Sequence, residues 1–183
     1  MTQQIHFLTR NPFKIATAEL AMNPFDIEVI PLQLDIPEIQ ADSNAEIARH
    51  GAIMAAQQTG HHVMREDHGF YLHAFPGWPG PYMAHTERTI PPDDLLRLVE
   101  NKDRTGHFEM ALAFATPEGE VIEYTFQLPT KITDSIRPGG KDFGWDSIIS
   151  LSDDPRALSE YPQEDRYPLF TTNYVQLAQQ LAK

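Results

Sequence analysis

The chain has no cysteine, few cations and no long apolar run, and each shortage removes a class of function. Without cysteine, the 183 residues hold no disulfide, no thiol nucleophile and no Cys-bound zinc, which fits a cytosolic protein. Lysine and arginine total 14 against 26 aspartates and glutamates, a formal net charge of −12. That balance argues against broad binding to nucleic acid or an anionic membrane, because nothing offsets phosphate repulsion. A small polyphosphate stays compatible, since Mg²⁺ can arrive with it and neutralise charge locally. No apolar run is long enough to span a bilayer, and Met1-Thr2-Gln3-Gln4 leads into a short strand rather than a signal peptide.

A hydrophobic content of 41% is enough to bury a core as one domain over residues 1–183, or as two closely packed lobes. Ile5 to Thr9 reads as a first strand. Pro12 to Met22 reads as a helix, with Asn11 suited to the N-cap and Pro12 to the first turn. A second strand is expected within Phe25–Leu34. Ser43 and Glu46 form a capping-box pattern that opens an Ala-rich helix ending near Gly60. His62 to Glu66 is the next expected strand. After Pro91-Pro92 a helix over Asp93–Asn101 turns Leu95, Leu96, Leu98 and Val99 inward. His107–Ala115 and Val121–Leu128 read as a hairpin, and a last helix turns Tyr174, Val175, Leu177, Ala178 and Leu181 inward. Alternating strands and helices followed by a hairpin predict an α/β fold with a mixed sheet.

Chemistry concentrates in two places. Glu66 and Asp67 close an apolar run just before Gly69, where a predicted strand end would present carboxylates to a loop, as a divalent-metal hydrolase requires. Thr9-Arg10-Asn11-Pro12-Phe13-Lys14 lies at a strand-to-helix junction, whose free amides and helix dipole favour an anion that Lys14 could also reach. The plainer reading is an ordinary cap beside a solvated lysine. Phe143 and Trp145 offer stacking surface to a base, or form two core aromatics beside a glycine turn. Histidines are numerous (His61, His62, His68, His73, His85, His107), but none has the spacing of a metal helix, and only His68 lies near the acids.

Thr9-x-Asn11-x-x-Lys14, then Pro37-Glu38-Ile39-Gln40, Glu66-Asp67-x-Gly69, Gly77-x-Pro79-Gly80-Pro81-Tyr82 and Phe143-Gly144-Trp145-Asp146 follow one another in an order and spacing similar to the inosine triphosphate pyrophosphatase (Ham1/RdgB-like) family. The resemblance spans about residues 5 to 150. It implies an elongated two-lobed α/β fold of the Maf/Ham1 type, with a long mixed sheet, a cleft between lobes and commonly a homodimer. It also implies Mg²⁺-dependent hydrolysis of non-standard purine triphosphates (ITP, dITP, XTP) to the monophosphate and pyrophosphate. Through the same resemblance, Thr9, Asn11 and Lys14 hold phosphates, and Glu38 and Glu66 help organise Mg²⁺. Asp67 is a metal-linked carboxylate or the general base, and Phe143, Trp145 and Asp146 line the nucleoside pocket.

The chain departs from that family in three places. A lysine expected in the second helix falls at Gly51, and His68 replaces a serine or threonine. Near the C-terminus Arg166 could replace a lysine, while Thr171 and Thr172 stand where histidine and arginine are expected. Threonine hydroxyls cannot copy an arginine fork, so base preference is expected to be altered. Two lost charge-assisted contacts, at about 1.5–3 kcal/mol each, would weaken triphosphate binding on the order of a hundredfold unless replaced. Arg10, Arg65, His68 and Arg137 are the candidates to replace them. The alternatives are a hydrolase of another phosphorylated small molecule and a non-enzymatic nucleotide-binding paralogue.

Overall fold

A computed structural model describes residues 3–138 and 140–183, with backbone alone for 140–143. The strands are β1 (Gln3–Leu8), β2 (Ile27–Leu32), β3 (Val63–Leu72), β4 (Pro79–Gly80), β5 (Thr105–Ala115), β6 (Val121–Ile132) and β7 (Ile149–Leu151). They form one sheet in the order β2-β1-β3-β5-β6-β7, with β4 paired to β3. β1 runs parallel to β2 and to β3, whereas β3/β4 and β6/β7 are antiparallel, so the sheet is mixed as expected. The helices are α1 (Pro12–Met22), α2 (Asn44–Thr59), α3 (Met83–Thr89), α4 (Pro92–Leu98), α5 (Gln163–Arg166) and α6 (Thr172–Leu181). Among the described residues no helix is long and apolar enough to cross a membrane.

The chain divides into two compact units, residues 1–68, 110–126 and 167–183 in the first and residues 69–109 and 127–166 in the second. In the first unit, alternation along the strands sorts side chains onto two faces. Ile5, Phe7, Met64, Leu112 and Phe114 pack with Ala18, Ala21 and Met22 of α1 and with Tyr174, Leu177 and Ala178 of α6. On the opposite face Leu8, Val63, Ala111, Ala113 and Ala115 meet Ala48, Ala52, Ala55 and Ala56 of α2. Bulky residues toward α1 and α6 and alanines toward α2 let the second helix approach the sheet closely. In the second unit Phe70, Phe108 and Trp145 are buried together and the half-buried Trp78 packs against Trp145.

Caps follow the residues that announce them. Asn11 Oδ1 accepts from the Phe13 amide at 2.9 Å, and Ser43 Oγ from the Glu46 amide at 3.2 Å. Two expectations are corrected. β3 does not stop at Glu66 but runs on to Leu72, because Phe70 and Leu72 are buried and Phe70 and Tyr71 pair with β4. The paired acids therefore sit inside a strand. α4 ends at Leu98, which is 38% exposed instead of inward, while Leu95 and Val99 are fully buried.

Candidate active site

Position within β3 decides what the two adjacent acids do, because neighbouring strand residues point to opposite faces. Met64 faces α1 and α6, and so does Glu66, whose side chain is 4% exposed. Glu66 Oε1 lies 3.2 Å from Lys14 Nζ of α1, which also donates to the Glu66 carbonyl at 3.1 Å. Its other carboxylate oxygen accepts from the Tyr174 hydroxyl of α6 at 2.6 Å. Burial, the Glu66 charge and that bond push the Tyr174 hydroxyl well above its ordinary range, so it stays a donor.

Asp67 faces the other way, as Val63 does, toward α2. Its Oδ2 accepts from Asn44 Nδ2 at 2.6 Å, and Asn44, the first residue of α2, is fully buried. Burial raises the Asp67 carboxyl above its ordinary 3.8, and Lys14 and the Asn44 bond oppose that rise. A cation brought close to Asp67 would favour the ionised form.

Both acids line one cavity of about 330 Å³, together with Thr9, Arg10, Lys14, Asp35, Glu38 and Arg65. Thr9, Lys14, Glu38, Glu66 and Asp67 were expected to meet, and they do. Asn11 is not part of the lining. Thr9 Oγ1 accepts from the Asn11 amide at 3.1 Å, which leaves its own proton to donate. Glu38 is paired with Arg65, Oε2 to Nη2 at 3.0 Å.

Among the described residues no three His, Asp or Glu side chains converge as a ready metal cluster, the histidines included. Histidines pair instead, His6 stacked on His61 and His73 Nε2 3.2 Å from His107 Nδ1. The cavity's carboxylates nonetheless suit Mg²⁺, a hard cation usually held by one or two carboxylates plus the substrate's own phosphates.

His68, the histidine next to the acids in sequence, does not belong to the lining of this cavity. Its ring packs 5.5 Å from Phe170, and burial pulls it from 6.5 down to about 4, with Glu66 opposing. It is neutral near pH 7. The unfolded chain takes up this proton before the folded one, so the stability present above pH 6.5 is lost as pH falls toward 4, by about 3 kcal/mol at the lower limit. Urea unfolding from pH 7 to 4 should show a shallower loss in His68→Phe than in the parent. Parallel curves would contradict this.

The second unit holds the remaining expected residues. Trp145 is fully buried against Phe70 and Trp78, and its indole donates to the Ile90 carbonyl at 2.8 Å. Its ring packs in the core, the second of the two readings that its place beside a glycine turn allowed. The side chain of Phe143 lies outside the described residues. Asp146 accepts from Arg166 Nη2 at 2.6 Å, an ion pair with both side chains largely buried. Gly144 takes φ +52° and ψ −135°, and a Cβ there would collide with the Glu87 carboxylate that accepts from the Trp145 amide at 2.8 Å. Gly144→Ala should therefore lower stability by about 2–4 kcal/mol, read as a thermal midpoint. An unchanged midpoint would show that this turn relaxes freely.

Asn44 and Tyr174 were not foreseen as site residues. Asn44 directly follows the cap Ser43, and a buried amide there had no sequence signal beyond polarity. Tyr174 lay on the expected inward stripe, where its hydroxyl needed a partner.

The match to the Ham1 family model covers residues 5–168, and this chain belongs to that family. A dITP/XTP pyrophosphatase of Thermococcus kodakarensis is 32% identical over 164 residues, 89% of this chain and 88% of that protein. One of Pyrobaculum aerophilum is 35% identical over 147 residues, 80% and 78% of the two chains. Among solved structures, a HAM1 protein from Coxiella burnetii superposes with a TM-score of 0.81 at 22% identity, covering 98% of each chain. The Staphylococcus aureus Ham1 protein gives 0.78 at 21%, covering 98% of this chain and 97% of that one. These two carry the fold alone.

Proposed function

We propose that this chain is a Mg²⁺-dependent pyrophosphatase that hydrolyses non-standard purine nucleoside triphosphates to the monophosphate and pyrophosphate. The observation that carries the reading is the division of labour at Glu66 and Asp67, one acid locked to Lys14 and Tyr174 and the other held by Asn44 at the same cavity. The curated relatives that bear the name dITP/XTP pyrophosphatase support the substrate class.

The amides at the start of α1 and the Thr9 hydroxyl donate to phosphate oxygens. Lys14, fixed by Glu66, adds positive charge at a set position, so little reorganisation is needed when the polyphosphate enters. Asp67 in its ionised form accepts a proton from the attacking water, with Asn44 fixing the orientation of its carboxylate. Glu38 and Asp67 are the carboxylates that would hold Mg²⁺, which when bound neutralises charge on the polyphosphate, while Glu66, tied to Lys14 and Tyr174, would serve the site by fixing that lysine. Base preference is the part most altered, because Thr171 bonds the Pro168 carbonyl and Thr172 begins α6.

Purified protein should be incubated with Mg²⁺ and a panel of ITP, dITP, XTP, the standard nucleotides and modified deoxynucleotides, with products resolved by chromatography. At least one triphosphate should yield monophosphate, with turnover abolished by chelator and restored by Mg²⁺. Silence across the panel, from folded and metal-loaded protein, would overturn the reading.

A further inference from the structure

Gly51 stands in the middle of α2, where glycine is about 1 kcal/mol less favourable than alanine. Its reason is Arg65. A Cβ at position 51 would collide with Arg65 Cδ and lie 2.7 Å from Nη1 and 2.9 Å from Nε. The missing side chain is a notch in the helix through which Arg65, on the α2 face of β3, reaches the cavity. There its side chain is 13% exposed and its guanidinium is paired at 3.0 Å with Glu38, whose side chain is 62% exposed.

The cavity's cations differ in how firmly they are committed. Lys14 is held by Glu66, which is 4% exposed and tied also to Tyr174, so neither partner can leave. Arg65 is held by a carboxylate on the segment between β2 and α2, which has no regular secondary structure, and that carboxylate can move into water. A planar guanidinium fixed from behind and released in front is suited to bidentate binding of a phosphate.

We infer that Arg65, seated in the Gly51 notch, is a polyphosphate-binding residue, and that the entering phosphate displaces Glu38 from it. The inference rests on the proposed pyrophosphatase reading and adds a residue that supplies positive charge at the cavity. Gly51 acts through Arg65, as a positioning residue.

The test measures binding of inorganic pyrophosphate with Mg²⁺ by calorimetry, KM and kcat on the best triphosphate of the panel, and thermal midpoints. Arg65→Ala should weaken pyrophosphate binding and raise KM by about 10- to 100-fold, with KM changing more than kcat. Arg65→Lys should recover only part, because an ammonium cannot form the fork. Gly51→Ala should raise KM by displacing Arg65, and should add no further loss in the Arg65→Ala background. Arg65→Ala that binds pyrophosphate like the parent, while the parent turns over a triphosphate, overturns this inference and leaves the functional reading intact. So does additive loss in the double variant, which would make Gly51 independent of Arg65. A parent protein that neither binds pyrophosphate nor turns over any triphosphate overturns both.

Discussion

Asp67→Asn is expected to lower turnover by about 10³-fold or more while leaving the protein folded. The reasoning is local. Asparagine keeps the size of the side chain and a carbonyl oxygen that can still accept from Asn44, so the link between β3 and α2 survives. What disappears is the charge that takes a proton from water. Stability should hold or rise. A carboxyl raised by burial favours the folded state in its protonated form, and that advantage is lost as pH climbs from 3.8 through the folded value. Near neutrality ionised Asp67 is therefore a burden that the amide removes. A variant with full activity would sink the assigned role, and one that unfolds would show that Asp67 holds the fold instead.

Lys14→Met should have the other large effect, on stability and activity together. Its partner Glu66 is 4% exposed, and removing the cation leaves a buried carboxylate without its lysine, still bonded to the Tyr174 hydroxyl. Breaking a buried pair from one side destabilises by about 3 kcal/mol, or roughly 6–12 °C in a chain of this size. The double variant Lys14→Met/Glu66→Gln should regain much of that stability, because the uncompensated charge is gone, yet remain poorly active. If the double variant melts as low as the single one, the lysine stabilises by packing and the charge argument fails. If it regains activity, Lys14 does not serve the phosphates.

Much of this architecture was legible in the residues. Asn11 and Pro12 at one helix start, Ser43 and Glu46 at another, and the turn between β5 and β6 are local signals, and local hydrogen bonds realise them. The length of β3 was not legible. Gly69 read as a break, while past it the strand is paired with the two-residue β4 inside a Pro/Gly-rich stretch that does not read as a strand, and lies beside β5, which is distant in sequence. That misreading hid the meaning of the acidic pair. At a strand end two carboxylates can share one ion, but within a strand they face opposite layers, and so Glu66 found Lys14 and Tyr174 while Asp67 found Asn44. Trp145 illustrates the same limit, since a sequence cannot say whether an aromatic beside a glycine turn faces a ligand or the core. Gly51 was legible only as a missing cation. Its purpose needed Arg65 in space.

The central claim concerns which phosphoanhydride bond breaks, and phosphorus NMR of a running reaction tests it most directly. With Mg²⁺ and the preferred triphosphate, pyrophosphate should rise in step with the nucleoside monophosphate from the first time point, one for one. Orthophosphate and nucleoside diphosphate as the first products would contradict the account, because they would mean that the cavity directs water to the terminal phosphate.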